Sequence, residues 1–302
     1  MPCFGGQAAD GRGLQIPPPK HADIHEATCF RGGVQPVKSL HASAAKAWHP
    51  AGGAITLHVH RVGHSLYNPK MDVDLNCDLG EGCAFDEELM ALVTSVNIAC
   101  GFHAGDASAA RVALDQALKR GVQVGAHPSF PDREHFGRSE MSRTEQQLFD
   151  DCVYQIGALA GLAQAVGARL RHVKPHGALY HQANREAADA RPVVEATALF
   201  GLCLVGLPQS QLQALSAGRC RFAPEGFADR RYLADGTLVP RSRPDAFIED
   251  PVQAARQAAW LLDQRGVRTI CVHGDNPQAL EFVRQVRTAL IALGHRLVSF
   301  NP

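Results

Sequence analysis

Residues 95–121 read SVNIACGFHAGDASAARVALDQALKRG. The opening six residues are short, apolar and partly β-branched, which suits a buried strand. Cys100-Gly101 ends the run, and His103 and Asp106 follow it. Asp106 stands where a helix N-cap belongs, and Val112, Leu114, Ala117 and Leu118 supply an apolar stripe that stops at Gly121. Strand, polar turn and helix together make half of a βαβ unit.

The unit repeats. Apolar runs of similar length recur as VDLNCD (73–78), VQVGAH (122–127), LRHVKPHG (170–177), LCLVGL (202–207), CRFAPEG (220–226) and TICVHGD (269–275), giving seven candidate strands in all. Residues 142–167 read as a helix opened by a capping box, Ser142 with Glu145, and closed at Gly167. Residues 250–266 place Pro251 at a first helical position and Gly266 past the end. A last helix stops at Gly294. Such alternation predicts a parallel sheet. With no glycine-rich dinucleotide fingerprint and no domain break, the expected fold is an irregular (β/α) barrel of about seven parallel strands over 71–302. A doubly wound open sheet is the alternative.

Residues 1–70 differ in character. They hold IPPPK, seven Lys/Arg against three Asp/Glu, and seven of the fifteen histidines, without a sustained period. A segment that buries so little apolar surface cannot offset its ordering entropy. It is expected to be a disordered extension, or an artefact of start-site choice with Met71 as the true start. His58, His60 and His64 lack a nearby carboxylate or cysteine to complete a metal site.

The whole chain has 302 residues and zero formal net charge, which gives no reason to expect a nucleic-acid or anionic-membrane partner. No apolar run approaches the roughly 18–20 residues of a membrane span, and the N-terminus lacks a secretory apolar core. Nine cysteines, mostly in apolar runs and without a CxxC pair, fit reduced buried thiols and a cytoplasmic location. Cys77 and Cys100 therefore read as core thiols rather than nucleophiles.

In α/β barrels the active face lies at the C-terminal ends of the strands. Those positions hold Asp74, Asn76 and Asp78, then His103 and Asp106, then His127. Lys174 and His176 follow, then Glu225 and Asp229, and finally His273 and Asp275. Any one of these has a structural explanation, such as Asp106 as a cap. Four histidines at four strand ends are better explained by a shared site. Imidazoles with carboxylates can bind a divalent metal or act as general acids and bases around an amide. No GxSxG elbow or Walker pattern is present. Arginines in HPSFPDREHFGR (127–138) and FADRRY (227–232) suit a small carboxylate substrate.

Six motifs in order, DLNCDLGEG, SVNIACGFHAGD, GVQVGAHPSFPDREHFGR, VKPHGALYH, EGFADRRY and CVHGDNPQA, resemble the LamB/YcsF family, the A component of prokaryotic ATP-dependent 5-oxoprolinase. The resemblance runs from Met71 to about Phe300. It implies a barrel of the glycoside hydrolase/deacetylase type, opening of 5-oxo-L-proline to L-glutamate with ATP hydrolysis, and action with subunits B and C. Matching family positions are Asp74, Asn76, Asp78, Glu81, His103, Asp106, His127, Lys174, His176, Glu225, Asp229, Arg230, His273 and Asp275. The expected catalytic set is Asp78, His127, Lys174, His176, Glu225 and His273, with Asp78 or His127 as base and Lys174 as phosphate or oxyanion partner. Arg138, Arg230 and Asp275 are assigned to the nucleotide. Analogy with deacetylases places a metal on Asp78, His103 and His127. The alternatives are a stand-alone metal-dependent deacetylase or amidohydrolase, and a non-catalytic carboxylate-binding subunit.

Overall fold

The computed structural model describes residues 71–83, 85–273 and 279–299. The N-terminal extension, its histidine tract and Asp275 lie outside the described residues.

Strands β1 (Asp72–Leu79), β2 (Ser95–Ala99), β3 (Gln123–His127), β4 (Leu170–Val173), β5 (Cys203–Gly206), β6 (Phe222–Phe227) and β7 (Thr269–Cys271) are parallel neighbours in chain order. β7 pairs back onto β1, and β1 also pairs with β2, so seven strands close into a barrel. The expected barrel is the fold, and the open sheet is excluded. An eighth strand, β8 (Arg296–Leu297), was not expected. It is two residues long and pairs with Asp72 and Val73 at the start of β1.

The connecting helices are α1 (Asp86–Met90), α2 (Ala107–Arg120), α3 (Glu145–Val166), α4 (Gly177–Arg185), α5 (Ala187–Leu199), α6 (Gln211–Ser216), α7 (Pro251–Gln264) and α8 (Ala279–Ala292). Asp106 caps α2 by accepting from the Ala109 amide, and Gly121 ends it at φ 67°. The buried stripe of α2 is Ala110, Ala113, Leu114 and Ala117, whereas Val112 and Leu118 are exposed. Small residues let the helix lie close to the sheet, so the larger side chains turn outward. In α3 the capping box is Thr144 with Gln147, two residues later than expected. Residues 141–143 are held by other contacts: the Met141 amide donates to Gln182, and Arg143 pairs with Asp151. No helix among the described residues is long and apolar enough to cross a membrane.

Closure turns one face of each strand inward. On β1, Val73, Leu75, Cys77 and Leu79 are buried in the main hydrophobic core. Asp74, Asn76 and Asp78 occupy the alternate positions and meet partners from other strands. Asp74 accepts from Thr94 (2.7 Å), Ser95 (2.7 Å) and Thr269 (2.6 Å). Asn76 donates to Thr269 and Glu225, while Asn97 donates to both Asn76 and Asp78 at 2.8 Å. His172 Nε2 donates to the Asn97 side-chain oxygen at 2.7 Å. A β-carbon at Gly125 would lie 2.2 Å from the His172 ring, so glycine there makes room for the imidazole. The barrel lumen is thus a hydrogen-bonded polar stack, tolerated because most of its buried groups satisfy one another.

Candidate functional site

At the mouth of this stack the strand-end residues converge. Lys174, just past β4, is 2% exposed; its Nζ lies 2.9 Å from Asp78 Oδ1, 3.0 Å from Glu225 Oε1 and 3.0 Å from Cys271 Sγ. Burial opposes the ammonium charge, but the carboxylates of Asp78 and Glu225 outweigh it and hold Lys174 well above the usual lysine value. Burial likewise works against the Asp78 charge, yet His127 and Lys174 keep its carboxyl well below the usual range. Glu225, fully enclosed, is pushed upward by burial despite Lys174. Two carboxyl groups thus differ in acidity beside one ammonium.

Three imidazoles lie beside this centre. His103 and His176 stack with ring centroids 3.8 Å apart, and both stand edge-on to His127. His127 Nδ1 is 2.6 Å from the Lys174 carbonyl oxygen, and His176 Nε2 is 2.8 Å from the Phe136 carbonyl oxygen. A carbonyl only accepts, so each of these nitrogens carries its proton there. The remaining nitrogens, His127 Nε2 and His176 Nδ1, face each other at 3.0 Å. Glu81 Oε1 lies 3.5 Å from His176 Nδ1, 3.9 Å from His127 Nε2 and 3.1 Å from His103 Nε2. Burial, followed by the neighbouring His127 and His103, holds His176 well below the usual histidine value. Burial also lowers His103, against its bond to Glu81.

Glycines allow the loops to close on these rings. At Gly137 (φ 67°) a β-carbon would sit 2.8 Å from His103 Cβ and 2.9 Å from His176 Cδ2. At Gly105 (φ 68°) it would meet the Gly80 carbonyl oxygen at 2.3 Å, so the loop carrying Glu81 depends on that glycine. Beside Gly137, Phe136 adopts φ 57°, a conformation costing a non-glycine residue about 1–3 kcal/mol. Its ring stands edge-on to His103 and His176.

Asp78, His127, Lys174, His176 and His273 line one cleft together with Arg138 and Arg230, and Glu225 lies beneath them against Lys174. His273 Nδ1 is paired with Asp229 at 2.8 Å. Asp74 and Asp106 are not at the mouth: one anchors the lumen and the other caps α2. The donors placed together for a cation are Glu81, His103, His127 and His176, all within 4.8 Å of one another. Asp78 groups with Cys271 and His273, is bound to Lys174, and lies 3.4 Å from His127 Nε2; of the metal set expected on Asp78, His103 and His127, the two histidines stand together with Glu81 and His176. Arg133 is exposed and donates to the Gly101 carbonyl rather than entering the cleft. Tyr180, His181 and Arg241 also line the cleft. The first two close the VKPHGALYH motif, one turn into α4, where the sequence reading gave them no role. Arg241 carries no local signal.

Fold and site together define an irregular (β/α) barrel with a lysine–carboxylate centre and an imidazole cluster at its C-terminal mouth. The chain belongs to the LamB/YcsF family, whose model matches residues 73–302. It is similar to the lactam utilization protein of Thermus thermophilus, with 40% identity, 76% of this chain and 100% of that one covered, and a TM-score of 0.70. A proposed cellobiose-phosphate cleavage protein of Enterococcus faecalis shares the fold, at 12% identity over 76% of this chain and 98% of that one, with a TM-score of 0.51.

Proposed function

We propose that this chain is the component of an ATP-dependent 5-oxoprolinase that opens the lactam ring, acting with subunits B and C. The observation that carries the reading is Lys174, a fully buried ammonium held between Asp78 and Glu225 at the foot of the cleft. Its support from relatives is the likeness, across the whole barrel, to a protein of lactam utilization.

The chemistry follows from the substrate. A five-membered lactam is a stable amide, and transfer of the ATP γ-phosphoryl group to its carbonyl oxygen makes the ring carbon electrophilic, releasing ADP. Water then adds to that carbon, giving up its proton to Asp78 or His127. The C–N bond breaks, the nitrogen takes a proton, and loss of phosphate with a further water yields glutamate. Lys174 stabilises negative charge at the carbonyl oxygen or its phosphate. His176 and Glu225 hold the groups beside it, and Asp229 orients His273. Arg138 and Asp275 are assigned to the co-substrate ATP, with Arg138 matched to its phosphates. Turnover of 5-oxoproline and ATP, measured with and without subunits B and C, tests the reading: phosphate release must depend on 5-oxoproline, and glutamate formed without ATP would count against it.

A second reading, a stand-alone metal-dependent amidohydrolase, draws on the two imidazole nitrogens that face each other at 3.0 Å. Neutral imidazoles would bring two lone pairs together there, so a proton or a cation belongs between them. Glu81, His103, His127 and His176 fit a divalent cation by donor type and would hold it. Such an ion supplies Lewis-acid polarisation of a carbonyl, or a water of lowered pKa. Activity without ATP that chelation abolishes would favour this reading.

A further inference from the structure

The two arginines of FADRRY part company in the fold. Arg230 is 2% exposed, lines the cleft, and donates from Nη2 to the Val239 carbonyl at 2.6 Å. Arg231 is exposed, and its backbone bonds to Ala246 and Val239 instead. Its place beside Arg230 is taken by Arg241, further along the loop between β6 and α7. The guanidinium carbons of Arg230 and Arg241 lie 5.2 and 5.3 Å from the centroid of the same ring, Phe247. Both side chains line the cleft that Lys174 and His127 also line. Their charge reaches His181, where burial and then Arg230 and Arg241 push the imidazole down to about 4.

A second observation points to a ligand in the same place. Tyr180, 3% exposed, lines the cleft; its hydroxyl has the Glu225 carboxyl as its one hydrogen-bond neighbour among the described residues, in imperfect geometry. A phenol hydroxyl both donates and accepts, so its remaining hydrogen-bonding capacity is open to a polar ligand in the cleft. Its ring packs with Phe227 and Leu238, which also line the cleft as an apolar wall, and the Lys174 ammonium lies over the Phe227 ring.

We propose that Arg230 and Arg241 form the subsite for a substrate carboxylate, with the Tyr180 hydroxyl bonding the ring beside it, and that Arg241 sets the preference for acidic over neutral ring amides. Arg230, expected on the nucleotide, then serves the substrate instead. Guanidinium groups match a carboxylate with paired parallel hydrogen bonds, which an ammonium cannot. The apolar wall takes ring methylenes, and the amide carbonyl then falls toward Lys174. The identity of the ring rests on the lactam reading above; the carboxylate does not.

Calorimetric titration of the full chain tests it with three ligands: 5-oxo-L-proline, its neutral carboxamide, and tetrahydrofuran-2-carboxylate, a ring acid without an amide. The natural chain is expected to bind 5-oxoproline at least about tenfold more tightly than the carboxamide. Arg241→Gln should remove that preference, Arg241→Lys should keep part of it, and Arg231→Gln should keep all of it. Tyr180→Phe should weaken acid and carboxamide alike. Equal affinity of the natural chain for both lactams, a preference that survives Arg241→Gln, or no binding of any ring acid would overturn the proposal. Arg241-dependent binding of tetrahydrofuran-2-carboxylate without binding of either lactam would uphold the subsite and remove the lactam reading.

Discussion

His127 Nε2 and His176 Nδ1 face each other at 3.0 Å while the other nitrogen of each ring is committed to a backbone carbonyl. The pair cannot satisfy itself with two neutral rings, and Glu81 stands close enough to either to share whatever lies between them.

That arrangement predicts uptake of a borderline-soft divalent ion. Cobalt(II) added to the full chain should bind with one-to-one stoichiometry and give visible absorption of a low-coordinate nitrogen–oxygen site. His176→Ala should abolish the bands. Cobalt binding unaffected by that change would place the ion elsewhere.

The lumen makes a packing prediction. Gly125→Ala would drive a β-carbon to within 2.2 Å of the buried His172 ring, which would have to shift. Overpacking of this kind costs about 1–3 kcal/mol. Gly161, exposed in the middle of α3 and with nothing within 4 Å of its β-carbon position, offers the contrast. Gly161→Ala should stabilise by about 0.5–1 kcal/mol through helix propensity. Urea midpoints of the two variants should therefore move in opposite directions.

The same histidine ties stability to pH. Burial holds His172 down to about 3, against an ordinary value near 6.5. Between those limits the unfolded chain binds a proton that the folded chain refuses, so stability is full above about pH 6.5 and falls as the solution is acidified. His172 contributes up to about 1.4 kcal/mol per pH unit to that slope. Urea unfolding of His172→Gln between about pH 6.5 and 4.5 should show a shallower slope than the natural chain. Equal slopes would mean that the imidazole is charged in the fold.

Lys174 is both structural and chemical, and its removal should show both effects. Lys174→Met would leave Asp78 and Glu225 enclosed without their cation, a loss of about 3–5 kcal/mol. The double variant Lys174→Met/Glu225→Gln should recover part of that stability. Thermal melts that rank the single variant above the double would contradict the pairing.

Much of the cleft was legible in the chain, because several of its lining residues end short apolar runs and closure brings the ends of such runs together. His127, Lys174 and His273 are placed in the cleft this way. The polar lumen was harder to read. Alternation such as Asp74, Asn76 and Asp78 ordinarily marks a solvent-facing side, and only closure of the sheet turns it inward to meet Asn97, Thr269 and Glu225. Arg241 was out of reach for another reason: its position depends on the path of an irregular loop, which leaves no period in the sequence. The α3 start was ambiguous because two capping boxes overlap there, and contacts to Gln182 and Asp151 decide between them.

Whether this barrel performs the ring-opening step is decided by 5-oxoproline-dependent glutamate formation in the complex reconstituted with subunits B and C, comparing the natural chain with Asp78→Asn and His127→Ala. Each substitution should lower turnover on the order of 10²–10⁴-fold while the complex still assembles. Full turnover with both residues changed would assign the chemistry to a different component of the complex.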